Sequence, residues 1–394
     1  MSDSVSPRKD WVARHISGLP RSGIRDFFEL VQAMDDVISL GVGEPDFVTP
    51  WHIREATIYA LERGHTSYTS NLGMLSLRQA ICDYVASDFG VEYDPKRECI
   101  VTVGVSEALD LVLRAVLNPG DEVLYHEPCY VSYSPIVKMV HAVPVPVVTV
   151  EEDAFALDPA KLAARITPKT RVLLLNFPNN PTGANLTYAQ KEEIAKLAVK
   201  HDLLVITDEI YAELTYGERT KTIAAFPGMK ERTVFLHGFS KAYAMTGFRI
   251  GFGCGPADLV EAMMKIHQYT MLCASILAQE AALEALKHGR HEMEMMRDQY
   301  FQRRNLIVNR LNGMGLRCHL PDGAFYAFPN ISSTGLTGQE FAKRLLQEEK
   351  VAVVPGTAFN AEARQYVRCA YASEIETLKI ATDRMASFIA RLKQ

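Results

Sequence analysis

The 394-residue sequence predicts an α/β fold, a doubly wound and mostly parallel sheet followed by a smaller α+β unit. Three observations carry this: short apolar, β-branched runs recur between about 99 and 253, helix-patterned stretches separate them, and the texture changes after about 285. The runs are CIVTV (99–103), EVLY (122–125), RVLLLN (171–176), LLVITD (203–208), TVFLH (233–237) and RIGFG (249–253). Each is bounded by polar or turn-forming residues, as strands buried on both faces require. Helical spacing occupies 107–117 and 189–200, where Ile194, Leu197 and Ala198 share a face. A long charged helix pattern then covers roughly 286–312, followed by short strands at 324–328, 351–353 and 366–370 and a closing helix near 374–392. No Pro/Gly/Ser-rich linker divides the chain, so its units are expected to pack closely: a large one at 48–284, and a small one formed by 1–47 together with 285–394.

Composition narrows the function. Hydrophobic residues make up 48% and charged residues 23%, ordinary for a globular protein and too apolar for a long disordered segment. With 42 basic and 47 acidic residues the net charge is −5, which offers no basic surface for nucleic acid. Seven cysteines, an odd number, are scattered without a C-x-x-C pair, which favours reduced thiols in a cytoplasmic protein over disulfides or a zinc site. The absence of an eighteen-residue apolar run argues against a membrane span.

Open α/β sheets bind ligands beyond the carboxyl ends of their strands, and four of the expected ends are chemically loaded. Gly104-Val105-Ser106-Glu107 opens an apolar helix, where free amides, a hydroxyl and the helix dipole suit an anion, although a plain strand-to-helix turn would read the same. Phe177-Pro178-Asn179-Asn180-Pro181-Thr182-Gly183 is a rigid turn that holds an asparagine amide at the sheet edge, for a ligand or for the turn itself. Asp208-Glu209-Ile210-Tyr211 sets a carboxylate at the end of a buried run, unless that carboxylate merely caps a helix. The fourth segment carries Ser240 and Lys241 amid small and apolar neighbours, with Arg249 eight residues on. Loss of solvation there would free a neutral amine to act as a nucleophile, a nearby arginine would oppose its protonation, and the guanidinium fork suits a phosphate. Together these groups match what pyridoxal 5′-phosphate requires.

The sequence resembles the class I aminotransferases of fold type I, the group holding aspartate, aromatic and alanine aminotransferases. The likeness runs through LGVGEPDF (40–47), YTSNLG (68–73), VTVGVSEAL (101–109), NNPTG (179–183), DEIY (208–211) and SKAYAMTGFRIG (240–251) to GAFY (323–326), VVPG (353–356) and YVRCAYA (366–372). The resemblance implies that Lys241 forms the Schiff base with the cofactor and shuttles the proton, while Asp208 pairs with the ring nitrogen. By the same likeness, Asn180 and Tyr211 would hydrogen-bond the ring oxygen, and Tyr130 and Ile210 would flank the ring. Val105, Ser106, Ser240 and Arg249 would hold the phosphate, with Tyr68 reaching over from a second subunit of a homodimer. Arg368 would clamp the substrate carboxylate, beside the Gly43 backbone and with Asn180 in support. The implied reaction moves an α-amino group between an L-amino acid and a 2-oxo acid. A β-eliminating C–S lyase of the same cofactor class is the alternative.

Two departures bear on the substrate. One aspartate-specific subgroup carries a lysine where this chain has Ser106, and the segment QYTMLCA (268–274) contains no arginine. Lys265, His267 or Arg14 are left as candidates to meet a distal carboxylate. A nucleotide-dependent oxidoreductase is disfavoured, because Gly251, Gly253 and Gly255 lack the G-x-G-x-x-G spacing.

Overall fold

A computed structural model describes residues 11–19, 34–218 and 221–392, so part of the expected small unit, residues 1–10 and 20–33, lies outside the described residues. Twelve strands are described: β1 (Ile38–Ser39), β2 (Cys99–Thr102), β3 (Glu122–Glu127), β4 (Val143–Val148), β5 (Thr170–Leu175), β6 (Leu204–Asp208), β7 (Thr233–Gly238), β8 (Gly251–Cys254), β9 (Tyr326–Ala327), β10 (Val351–Ala352), β11 (Val354–Pro355) and β12 (Val367–Ala370). Seven of them form the large sheet, in the order β2-β8-β7-β6-β5-β3-β4. The pairs from β7 through to β4 are parallel, whereas β8 runs antiparallel to both β7 and β2. The mostly parallel expectation therefore holds, with one reversed strand inside it. That reversal brings the start of β8, Gly251, level with the ends of β7 at Gly238 and β2 at Thr102. As a result, a residue placed before β8 shares an edge with residues placed after the parallel strands.

Two further differences have local causes. β4 lies at the sheet edge and contains Pro144 and Pro146, which cannot donate to a ladder and which hide the strand pattern. The long pattern at 286–312 resolves into two helices, Ile276–His288 and Arg290–Gly313, meeting at Gly289. A Cβ at Gly289 would stand 2.8 Å from the Ala285 carbonyl oxygen, so the junction tolerates little more than hydrogen there.

Helices cover the large sheet on both faces. The helix Gly104–Val116 buries Ala108, Leu109, Leu111, Val112, Leu113 and Val116 in a core shared with Val123, Leu174, Ile206 and Leu236. The smaller sheet, β11-β12-β9, is antiparallel, and β1 pairs with β10 beside it. Its core gathers Phe325, Val353, Val367, Phe341 and Phe388 under the helices Gly338–Glu349 and Ile375–Leu392. All seven cysteines are free thiols, and six of them, Cys273 excepted, are buried. Among the described residues no helix is long and apolar enough to cross a membrane.

Candidate active site

A cavity of about 490 Å³ opens where the carboxyl edge of the large sheet faces the smaller sheet. Its wall includes Gly43, Val105, Ser106, Tyr130, Asn180, Asp208, Ile210, Tyr211, Ser240, Lys241, Arg249 and Arg368, twelve of the thirteen residues expected to meet the cofactor or the substrate α-carboxylate. Tyr68 is not among them and stands 81% exposed on the surface.

The local chemistry of the sequence places each group. At the first edge Gly104 adopts φ +76°, which glycine takes without strain, and a Cβ there would lie 2.8 Å from Arg249 Nη2. The guanidinium thus packs directly against the first turn of the helix Gly104–Val116, whose amides carry no side-chain cap. Gly251 permits the same approach from β8, since a Cβ would meet the Val105 nitrogen at 2.7 Å. Arg249 itself is held at φ +51°, a strained conformation for a side-chain-bearing residue, and donates to the Thr246 carbonyl at 3.1 Å.

The asparagine turn is braced from within. Asn179 Nδ2 donates to the Pro128 carbonyl and the Thr182 hydroxyl, both at 3.0 Å, which leaves Asn180 to face the cavity. Asn180 Oδ1 accepts from Arg368 Nη1 at 2.9 Å, and Arg368 Nη2 donates to the Gly41 carbonyl at 2.6 Å. The Arg368 guanidinium lies 4.5 Å from the Tyr326 ring centre and 4.8 Å from that of Phe359, and its buried Nε has no partner.

Asp208 ends β6 in full burial, which lifts its carboxyl to about 6, against the opposing hydrogen bond from Tyr133. Tyr133 Oη donates to Asp208 Oδ2 at 2.8 Å, and the Ile210 amide donates to Oδ1 at 3.2 Å. The carboxylate therefore orders its own loop without capping the following helix Ala212–Leu214, and also lines the cavity. Lys241 Nζ donates to the Gly43 carbonyl at 2.7 Å. Burial lowers that amine to about 8; Glu44 acts against the shift, and Arg368 and Arg249 act with it. Desolvation thus outweighs the neighbouring arginine that the sequence suggested.

Three expectations for a distal cation are corrected. Lys265, His267 and Arg14 do not line the cavity. His267 is buried with Nδ1 2.7 Å from Glu107 Oε1, while the other oxygen of Glu107 accepts from the Val103 amide at 2.5 Å. Lys265 is solvent-exposed beside Glu261, and Arg14 sits on a short exposed helix, Arg14–Ser17. Conversely, Tyr133, Glu44 and Tyr326 line the cavity without having been singled out. Tyr133 lies three residues after Tyr130 and Tyr326 closes the GAFY motif, so the signals were present but carried no assigned role.

The profile of the family described as Aminotransferase class I and II matches residues 35–385. The chain belongs to this aminotransferase family. Its relatives include an aromatic-amino-acid aminotransferase of Thermococcus litoralis, 44% identical over 94% of this chain and 96% of the relative. An aspartate aminotransferase of Pyrococcus abyssi is 45% identical over the same shares, 94% and 96%. Among solved structures, the aspartate aminotransferase of Thermus thermophilus with maleate superposes with a TM-score of 0.92 at 37% identity, covering 96% of this chain and 100% of that one. The aminotransferase thus has near relatives named for both an acidic and an aromatic amino acid, and the choice between them falls to its own cavity wall.

Proposed function

We propose that the protein transfers an α-amino group reversibly from an L-amino acid to a 2-oxo acid, with 2-oxoglutarate as acceptor, using pyridoxal 5′-phosphate held in the cavity. The observation that carries this is one wall joining a buried carboxylate, a desolvated lysine and two arginines, Arg249 and Arg368. The residues fit the cofactor: an uncapped helix start packed on Arg249 suits its phosphate, and the orphaned Nε of Arg368 awaits a further acceptor. When bound, the cofactor supplies an aldehyde carbon and a ring that accepts electron density from the substrate.

Lys241, as a neutral amine, would be the group that condenses with that aldehyde with loss of water, and once freed by substrate it would carry the proton at the substrate α-carbon. Asp208 would keep a proton on the ring nitrogen, while Asn180 and Tyr211 would donate to the ring oxygen. Tyr130 and Ile210 would flank the ring. Val105, Ser106 and Ser240 would join Arg249 in holding the phosphate. Arg368 takes the substrate carboxylate as a fork, beside Gly43, and fixes the α-carbon over Lys241. We assign the cavity to the meeting of a large unit (48–284) and a small one (1–47 with 285–394), whose closure excludes water.

Val42, Leu109, Val131 and Ile136 give the wall an apolar stretch, and its cations are Lys241, Arg249 and Arg368. With Ser106 in place of a fixed cation, the reading is tolerance of aromatic, alanine and aspartate donors, a dicarboxylate recruiting its cation on closure. A panel of twenty amino acids against 2-oxoglutarate, read as kcat/KM, tests this. Aspartate ahead of every aromatic donor and alanine by roughly a thousandfold, about 4 kcal/mol, would overturn it. The same assay run for pyruvate and sulfide release distinguishes the C–S lyase.

A homodimer completes the proposal. Tyr68, Trp51, Tyr59, Leu61, Tyr269 and Met271 are exposed, and these are side chains a second subunit would cover. Reduced, buried thiols agree with a cytoplasmic setting.

A further inference from the structure

Tyr326 has no part in the assignments above, yet it touches three of them. Its hydroxyl lies 2.9 Å from that of Tyr211, and its ring lies under the Arg368 guanidinium at 4.5 Å. A Cβ on Gly43 would stand only 2.5 Å from its oxygen. The side chain is fully buried on β9, where Tyr326 pairs with Ala370 two residues beyond Arg368. Backbone pairing and burial therefore fix this hydroxyl against Tyr211.

A hydroxyl has one proton to give, so the 2.9 Å contact can be shared in two ways. If Tyr211 donates to Tyr326, its lone pairs face the cavity, where an electron-rich ring oxygen would be repelled. If Tyr326 donates, the Tyr211 proton is free for that oxygen. The surrounding charges favour the second arrangement: Arg368 acts on both hydroxyls, but at Tyr211 the Asp208 carboxylate opposes it and holds the proton there, whereas no carboxylate opposes it at Tyr326, which is left the better donor. Tyr130 also acts on Tyr326, against Arg368, and Lys241 lies 5.8 Å from the adjoining Phe325 ring.

We propose that Tyr326 is a positioning residue, donating its hydroxyl proton to Tyr211 so that Tyr211 presents its own proton to the ring oxygen of the bound cofactor. This rests on the cofactor reading above. Consecutive hydrogen bonds polarise one another, so losing the first weakens the second without abolishing it.

The test is an absorbance titration of the holoenzyme. The linkage at Lys241 holds its proton more tightly when the ring oxygen loses hydrogen bonds. In Y326F the near-visible band should therefore titrate at a pH higher by about half a unit, and in Y211F by more. In the Y211F background, Y326F should add nothing. Cofactor affinity of the unloaded Y326F chain should change by less than about fivefold, as removal of one neutral hydrogen bond implies. Tyr326→Leu, which also removes the donor, is carried in parallel, and the cycle with Y211F is read from whichever variant loads cofactor. An unchanged midpoint, or an equal shift with and without Tyr211, overturns the inference. A wild-type protein without a near-visible band would instead sink the Lys241 assignment itself.

Discussion

Asp208 and Lys241 share a cavity, and burial moves both towards neutrality, the carboxyl up to about 6 and the amine down to about 8. For the lysine the sign is simple: only the unprotonated amine attacks an aldehyde, and it is populated above its pKa. Unloaded chain mixed with pyridoxal should therefore develop its absorbance at a rate that rises with pH around 8; a rise centred near 10.5 would mean that Lys241 is solvated. Lys241→Ala should abolish turnover while the cofactor still binds, because attacking amine and proton carrier vanish together; measurable turnover in that variant would refute the role. Asp208→Asn removes the charge that keeps the ring nitrogen protonated. Its kcat should fall by a hundredfold or more, on the order of a lost acid–base contribution, with a far smaller change in cofactor affinity by equilibrium titration.

The element that grips the phosphate in this reading is the turn from β2 into the helix Gly104–Val116, and its geometry rests on one missing Cβ. Gly104→Ala would force a side chain into a left-handed conformation and against Arg249, at a cost of about 1–3 kcal/mol. Phosphate-bearing cofactor should bind more weakly to that variant while pyridoxal, which lacks the phosphate, binds as before; equal losses for both would place the defect elsewhere. These elements were readable to different degrees. Strands β5, β6 and β7 are buried on both faces and write continuous apolar runs, so their ends, and with them Asn180, Asp208 and Lys241, could be located from the sequence alone. The direction of β8 could not, because the connection after β7 is long enough for either a crossover or a return. Nor could the partners of His267 and Tyr326: the first is set by helix packing onto Glu107, the second by the register of β9 on β12.

Across the whole molecule, contacts between the two sheets converge on the cavity. Arg368 on the smaller sheet holds Asn180 at the edge of the larger. Farther out, Glu151 accepts from Tyr366 at 3.1 Å and pairs with Arg317 at 2.9 Å. Glu151→Ala removes both, and the urea midpoint should fall by the equivalent of about 1–2 kcal/mol, with little change in the cofactor spectrum. At micromolar concentration the active species should sediment as a dimer; a fully active monomer would remove Tyr68 from the site. The thiols offer a different use of the same architecture. Six of seven are sealed inside and Cys273 alone is partly open, so a thiol-specific dye should label the intact chain at one position and the opened chain at seven. The cysteines thus form a built-in clock for global opening: the slow phase of labelling counts how often the interior is breached, with no added probe and no reference to catalysis.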